Sequence, residues 1–367
     1  MALQVLPFAD AIMSSSFLAA VATRALEASA SSTASAPASS TAGPSSPVDI
    51  EAFDLSQTSL EDMLKNALAD KRKEAPPDWG GMLHCLGTQK PDGVCAPQFV
   101  RPLPSGDFCC SCARSSKVAI ISPAGKLVRQ VGVQPSDGRP ISLATGIASA
   151  GDALFVSDHF NHRVLKLALS SGELLAAAGS DDGTDGSGVD EFDAPEDLVL
   201  SFDGRLIFVA DRNNSRIVVL DSATLTWRGQ IGKEGRREGE LYIPIGLALD
   251  ASTNELLVAD SINRRVSVFE ARPNGKFLRS IAGDLDEPLG LLLVSGLLFV
   301  TEERRVAMLE WPSGRELASV GTGSGLKGLC AAPGRRLCVA DEAAGLLHIL
   351  GAQAPSAPQA ESADDEP

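Results

Sequence analysis

The chain has 367 residues, a formal net charge of −15 and 44% hydrophobic residues. This acidic balance opposes nucleic-acid binding, because such a surface must neutralise phosphates with Lys and Arg. No apolar run reaches the roughly 18 residues that a membrane-spanning helix needs.

The first 54 residues lack the pattern of a packed domain. Residues 28–47 are almost entirely Ala, Ser, Thr, Pro and Gly, and such a segment cannot bury enough apolar surface to offset the entropy of ordering. We therefore predict that residues 1–54 are disordered, in a cytoplasmic protein. The alternative is an organellar transit peptide, since Ser and Ala abound, although Arg24 is the only basic residue before Lys65.

Residues 55–75 are predicted to form a short amphipathic helix. Apolar side chains recur at helical spacing from Leu60 to Leu68, with charged residues on the opposite side, and Ser59 can cap the first turn. The helix is expected either to pack on the domain that follows or to dock a separate partner.

Residues 76–351 repeat one pattern six times, at a period of about 40–50 residues. The clearest copies of an apolar run that ends in an acid are 154–158, 207–211 and 256–260; weaker copies are 108–112, 298–302 and 337–341. Within one copy, residues 243–283, four short apolar runs alternate with turns such as the one at Pro273. Repeated four-stranded units of this kind predict an all-β fold, a six-bladed β-propeller with antiparallel blades.

The ring is predicted to close with an N-terminal strand. The last repeat supplies only three strands, at 327–332, 337–341 and 346–350, whereas residues 82–87 end in Gly like the fourth strands elsewhere. An open ring would leave an unpaired strand edge, so we expect 82–87 to pair with 346–350. The acidic tail 352–367 is predicted to be disordered.

The repeats resemble the NHL repeat over about residues 82–351. The matching residues in one copy are Pro244, Gly246, Asp250, Val258, Ala259, Asp260, Asn263, Arg265, Val266 and Gly283. The resemblance implies the propeller fold but no single function, because propellers host unrelated activities.

An Asp and an Arg five residues later bracket one turn in three repeats, and a bidentate bond between them would lock the hairpin. These structural pairs are Asp158/Arg163, Asp211/Arg216 and Asp260/Arg265. The pairing erodes towards both ends of the array: the first copy has Cys112 and Lys117, the fifth has Glu302 and Arg305, and the sixth has Leu346 in the Arg position.

We interpret the chain as a non-catalytic, monomeric scaffold that presents its loops to a partner protein. Aromatic and Arg side chains are enriched in interface hot spots, and the variable turn positions carry both. The residues predicted to face outward and bind the partner are His159, Phe160, His162, Arg212, Asn213, Ile262 and Arg264.

The alternative function is a hydrolase or lyase with its site at the central channel. The innermost strands read as mostly apolar, which weighs against an enzyme, whereas polar or metal-binding residues pointing into the channel would favour one. No catalytic residue, cofactor or metal is assigned. The seven cysteines lack zinc spacing and suit a reducing compartment, and the acidic stretch at 181–192 lacks the ligand set of a calcium loop.

Overall fold

The structure is a computed structural model that describes residues 83–91, 94, 96–133, 138–281, 285–323, 325–332 and 336–352. The helix predicted at 55–75 and the disorder predicted at both chain ends lie outside these residues.

The described residues form 24 strands in six four-stranded antiparallel sheets, which confirms the six-bladed propeller. Strand β1 is Leu83–Gln89. Blade one contains β2 (Pro97–Pro102), β3 (Phe108–Cys112), β4 (Val118–Ile121) and β5 (Leu127–Val131). Blade two contains β6 (Ala144–Ala150), β7 (Ala153–Asp158), β8 (Arg163–Ala168) and β9 (Leu174–Gly179). Blade three contains β10 (Pro195–Leu200), β11 (Leu206–Asp211), β12 (Arg216–Asp221) and β13 (Trp227–Ile231). Blade four contains β14 (Pro244–Asp250), β15 (Glu255–Asp260), β16 (Arg265–Glu270) and β17 (Phe277–Ile281). Blade five contains β18 (Leu291–Val294), β19 (Leu297–Thr301), β20 (Arg305–Glu310) and β21 (Glu316–Gly321). Blade six contains β22 (Leu326–Ala332), β23 (Arg336–Asp341) and β24 (Leu346–Ala352).

Blade six is completed from both ends of the chain. Its strand order is β1-β24-β23-β22, and β1 runs antiparallel to β24 with Leu83 opposite Ala352 and Gln89 opposite Leu347. This is the pairing expected from the missing fourth strand, with β1 and β24 each ending two residues later than expected, at Gln89 and Ala352.

The hydrophobic core lies between neighbouring blades. Successive side chains of a strand point to opposite faces, so in β7 Leu154 and Val156 pack towards blade one while Phe155 packs against Leu198 and Ile207 of blade three. Each middle strand is therefore buried on both sides, which explains the nearly continuous apolar runs of the repeats.

A Gly lies within the innermost strands β6, β14 and β22 and directly before β18, where each comes close to a neighbouring blade. A Cβ at Gly146 would overlap the Glu196 carbonyl oxygen, and one at Gly328 would lie 2.9 Å from Phe99 Cα. Blades one and three depart from this rule, with Phe99 and Asp197 at the equivalent positions.

Two ends of the ring differ in what they carry. We call one end the link face; it holds the links between blades and the turns between the second and third strands of each blade. Its links include 138–143, 180–194, 232–243 and 285–290, and its turns are 113–117, 159–162, 212–215, 261–264, 302–304 and 342–345. Because Leu83 pairs with Ala352 at the opposite end, the chain enters and leaves the ring away from the link face.

Candidate functional site

Buried ion pairs stand at the base of the link-face turns in blades two, three and four. Each Asp is fully buried, and its carboxylate accepts a hydrogen bond from the Nε of the Arg five residues later. The Nε–Oδ2 distances are 2.7 Å for Asp158–Arg163, 2.7 Å for Asp211–Arg216 and 2.8 Å for Asp260–Arg265. An Asn within each turn donates to the same carboxylate, so all three residue types act as one unit.

In blade three the same unit also holds the link that precedes the blade. The Arg216 guanidinium donates to the carbonyls of Ser187, Gly188 and Glu191 at 2.8–2.9 Å. Asp211 accepts from the Asp193 N–H at 2.8 Å. The link is therefore fixed through its backbone, and the side chains from Ser187 to Glu191 face solvent.

We call this arrangement, in which the Asp–Arg pair binds the backbone of the preceding link, the clamp. Blades two and four repeat it. Arg163 donates to the Arg139 carbonyl at 2.8 Å and Asp158 accepts from the Ser142 N–H at 2.6 Å. In blade four, Arg265 donates to the carbonyls of Arg237 at 2.9 Å and Glu240 at 2.8 Å. The repeat pattern indicates the ion pair but gives no signal for these bonds, because the links differ in sequence and length.

The unit changes towards the ends of the array. In blade five, Arg305 binds both carboxylate oxygens of Glu302, at 2.8 and 2.9 Å. In blade six, His348 Nε2 lies 2.9 Å from Asp341 Oδ2 and stands in for the missing Arg. Sequence analysis found the loss of Arg at position 346 but missed His348, which lies two residues further along the strand.

The predicted partner-binding residues divide into exposed and engaged side chains. Phe160 is 62% exposed and Ile262 is 38% exposed on the link face, as expected of an interface. Asn213 and Arg264 are also exposed, and they contact Asp193 at 3.0 Å and Asp286 at 3.1 Å, respectively.

His159 does not face outward as predicted. It is only 7% exposed; its ring packs edge-on against Phe160, and its Nδ1 lies 3.6 Å from Glu196 Oε1. His162 is half-buried and its Nδ1 accepts from the Ala194 N–H at 3.2 Å. Arg212 is also half-buried, with Nε 3.9 Å from Glu196.

Charged side chains surround the mouth of the channel on the link face. Glu196 of blade three and Lys327 of blade six occupy equivalent positions on opposite blades. Burial raises the pKa of Glu196 to about 7, although Lys327 and Arg212 oppose the shift. Burial, assisted by Arg212, lowers the pKa of His159 to about 4. A cavity of about 390 Å³ opens beside Lys327, and its charged lining residues include Arg114, Glu303 and Glu342.

An ion pair joins the innermost strands of blades one and three, which are not adjacent in the ring. Arg101 Nη2 donates to both carboxylate oxygens of Asp197 at 2.9 Å, and Arg101 Nη1 donates to the Leu329 carbonyl at 3.1 Å. Asp197 also accepts from the Leu247 N–H at 3.0 Å. Burial raises the Asp197 pKa and Arg101 opposes the shift. The apolar interpretation of the innermost strands was therefore incomplete; the signal was an Asp where sister repeats have Gly.

Within the described ranges, no group of three or more His, Cys, Asp or Glu is arranged to hold a metal ion. The described cysteines are free and buried: Cys109, Cys110, Cys112, Cys330 and Cys338. Those at 110, 112, 330 and 338 share the layer between blades six and one, whereas Cys109 faces blade two. Among residues with assigned structure, no helix is long and apolar enough to cross a membrane.

Comparison with known proteins identifies the fold more clearly than the activity. No curated protein matches the chain, whereas 1212 chains of solved structures do. One is the β-propeller domain of Cps50 (Swd1) from Myceliophteria thermophila, with 12% identity and a TM-score of 0.51 over 74% of this chain and 100% of that one. The NHL repeat model matches residues 192–220, the link and first strands of blade three. The structure is thus a six-bladed β-propeller in which residues 192–220 match the NHL repeat.

Proposed function

We propose that the protein is a non-catalytic scaffold that binds a partner protein through its link face. The observation that carries the proposal is the clamp in blades two to four, which fixes the links while leaving side chains such as Phe160 exposed. A surface that is already ordered binds at a lower entropic cost.

Two further features support this face as the binding surface. Aromatic and Arg side chains are the types enriched in hot spots, and this face carries the exposed Phe160 and Arg264 and the half-buried Arg212. The described domain begins and ends at the opposite end, at Leu83 and Ala352, so the terminal segments attach away from the link face. We expect a monomeric propeller, which sedimentation of the purified protein would check.

The test is a double substitution, Phe160→Ala with Arg212→Ala. We expect affinity for the partner, recovered by quantitative pull-down from source extract, to fall by more than about 1 kcal/mol, or fivefold, with an unchanged melting temperature. The matched control is Leu175→Ala with Arg228→Ala, an apolar and an Arg residue on the outer strands. Equal recovery by all three proteins would place the binding surface elsewhere.

A hydrolase or lyase site at the channel mouth is the second candidate. One observation favours it: Glu196 titrates near neutral pH beside His159, and acid–base groups in a cleft are typical of catalytic sites. Glu196→Gln would abolish such an activity on a panel of esters and lactones. Absence of turnover in the unsubstituted protein would remove this candidate.

We place the protein in the cytoplasm. The five described thiols are all free and buried, which suits a reducing compartment. A fluorescent fusion that moves to an organelle only when residues 1–54 are present would instead indicate a transit peptide.

A further inference from the structure

The link between blades two and three is the most acidic part of the link face. We call residues 180–194 the acidic link. It carries six carboxylates and no Lys or Arg: Asp181, Asp182, Asp185, Asp190, Glu191 and Asp193. All except the half-buried Asp193 are exposed. By contrast, the next link, 232–243, balances its acids with Lys233, Arg236 and Arg237.

Cations neutralise little of this charge. Among the described residues, no Lys or Arg lies within ion-pair distance of these carboxylates, and the His162 Nδ1 that lies 3.5 Å from Asp193 accepts from the Ala194 N–H. The nearby Arg139 donates to the carbonyls of Ser180 and Asp181 and not to their side chains. An unpaired acidic surface attracts a cationic partner and sets the salt dependence of binding.

The acidic link is held in place rather than tethered at its ends alone. Arg216 binds the carbonyls of Ser187, Gly188 and Glu191, and Asn214 binds that of Gly186 at 2.8 Å. Its charges therefore stand in a fixed arrangement, which favours recognition of a defined segment over diffuse attraction.

Apolar side chains accompany the charges. Val189, within the acidic link, is 58% exposed, and Phe160, in the adjoining turn, is 62% exposed. The turn and the link are in contact, because the Ala194 N–H donates to His162 Nδ1. The surface thus offers carboxylates together with apolar anchor points.

A buried, unpartnered nitrogen lies at the inner end of this surface. His159 is only 7% exposed, and its Nδ1 makes no hydrogen bond. This nitrogen lies 3.6 Å from Glu196 Oε1. Arg212 Nε, also unbonded, lies 3.9 Å from the same oxygen. Buried polar atoms without partners are uncommon and costly. A donor group entering between Nδ1 and the carboxylate would satisfy both, and an ammonium has three donors.

We propose that the acidic link, with Phe160 and the Glu196–His159 pair, binds a Lys- and Arg-rich segment of a partner protein. Basic side chains lie along the exposed carboxylates, one apolar side chain packs on Phe160, and one ammonium reaches Glu196 and His159. This inference rests on the proposed scaffold function and names the chemistry of its partner.

The test uses fluorescein-labelled 12-residue peptides and the full chain. One peptide carries six Lys and Arg residues with two Leu, the second replaces the basic residues with Glu, and the third replaces them with Ser. We expect only the basic peptide to raise the anisotropy, with a Kd that increases with salt.

Charge removal on the acidic link separates local recognition from general attraction. Asp181→Asn, Asp185→Asn and Asp190→Asn together should weaken binding about tenfold, since each exposed charge contributes a fraction of a kcal/mol. The matched control removes three exposed charges elsewhere on the same face, by Glu238→Gln, Glu287→Gln and Glu303→Gln. The control should change the Kd by less than about twofold.

Three outcomes would overturn the inference: equal binding of the basic and acidic peptides, equal binding of the Ser peptide, or equal losses in the two triple variants. A further readout is the ring resonances of His159, which should shift when the basic peptide binds. If the peptide tests fail but the Phe160→Ala, Arg212→Ala protein still loses its partner in the pull-down, the basic-segment inference is wrong and the scaffold function stands. A basic peptide that binds as expected while that pull-down is unaffected would contradict the placement of the partner instead.

Discussion

Blades two to four and the closing joint between blades six and one are held together by different interactions. In the three middle blades a buried Asp, an Asn and an Arg join a turn to the link before it, as Asp211, Asn214 and Arg216 do. At the closing joint Cys112 replaces the Asp, and Leu346 replaces the Arg.

The closing joint relies instead on strand pairing and apolar packing. β1 and β24 pair along their whole length, and the layer beneath contains Cys110, Cys112, Cys330 and Cys338. In the middle blades, the clamp bonds join residues less than thirty positions apart in the sequence. The closing joint depends instead on contacts between the two ends of the domain. Clamps occur where a link joins consecutive blades, and the pairing of β1 with β24 takes their place where the ring closes.

Removing β1 should give the largest effect. A protein lacking residues 1–75 should fold and remain in solution, whereas one lacking residues 1–90 should aggregate or melt more than about 10 °C lower, because β24 loses its partner. Thermal unfolding and light scattering measure both. Equal melting of the two proteins would show that the ring holds without its closing strand.

Breaking the clamp should come next. Asp211→Ala leaves Arg216 buried without its carboxylate and should cost about 3–5 kcal/mol, measured by urea unfolding. Asp341→Ala removes the hydrogen-bond partner of the buried His348 Nε2 and should cost about 1–3 kcal/mol. If the two substitutions cost the same, the clamp in the middle blades would be no stronger than the pairing in blade six.

Blades three and six lie opposite each other across the channel, with Glu196 on one and Lys327 on the other. Because burial raises the folded-state pKa of Glu196 from its ordinary 4.5 to about 7, the folded state holds the extra proton between these values. The associated stability is full below about pH 4.5 and is lost as the pH rises through 7. Glu196→Gln should therefore stabilise the protein at pH 8 by up to about 3 kcal/mol and change it little at pH 4.5.

The substitution is needed because His159 has the opposite dependence. Its folded-state pKa is lowered from 6.5 to about 4, so its contribution is present above pH 6.5 and is lost as the pH falls towards 4. The two effects partly cancel in the unsubstituted protein. Urea unfolding of both proteins at pH 5 and pH 8 checks the difference, and an equal shift at both values would assign the effect to packing.

Installing the clamp in blade six should give the smallest effect. Leu346→Arg with His348→Val recreates the arrangement of blade three, where Arg216 and Val218 occupy these positions. We expect a change in unfolding free energy within about 1 kcal/mol, because a buried ion pair offsets its own desolvation. Severe destabilisation would show that the clamp depends on the longer links of the middle blades.

How far the sequence predicts the molecule depends on the separation of the interacting residues. The repeats predict the blades because each strand pairs with the next, and the unpaired last strand predicts the closure by β1. The bond between Arg101 and Asp197 joins residues 96 positions apart, and no local pattern marks it except the missing Gly.

The candidate site shows the same limit. The Asp–Arg spacing is visible in the sequence, but the clamp requires the backbone path of the links, which have no common length. His159 illustrates the converse: its turn position predicts exposure, whereas the neighbouring Glu196 and Phe160 draw the ring inward.

The buried thiols between blades six and one can report how often these two blades separate. Hydrogen bonds with neighbouring thiols, together with burial, raise the pKa values of Cys110 and Cys338 well above the ordinary thiol range. While the first and last blades are packed together, these thiols are therefore neither accessible to alkylating reagents nor ionised. Cys109, in the layer beside blade two, is an internal reference. The alkylation rate of Cys110 relative to Cys109 therefore counts how often the first and last blades part.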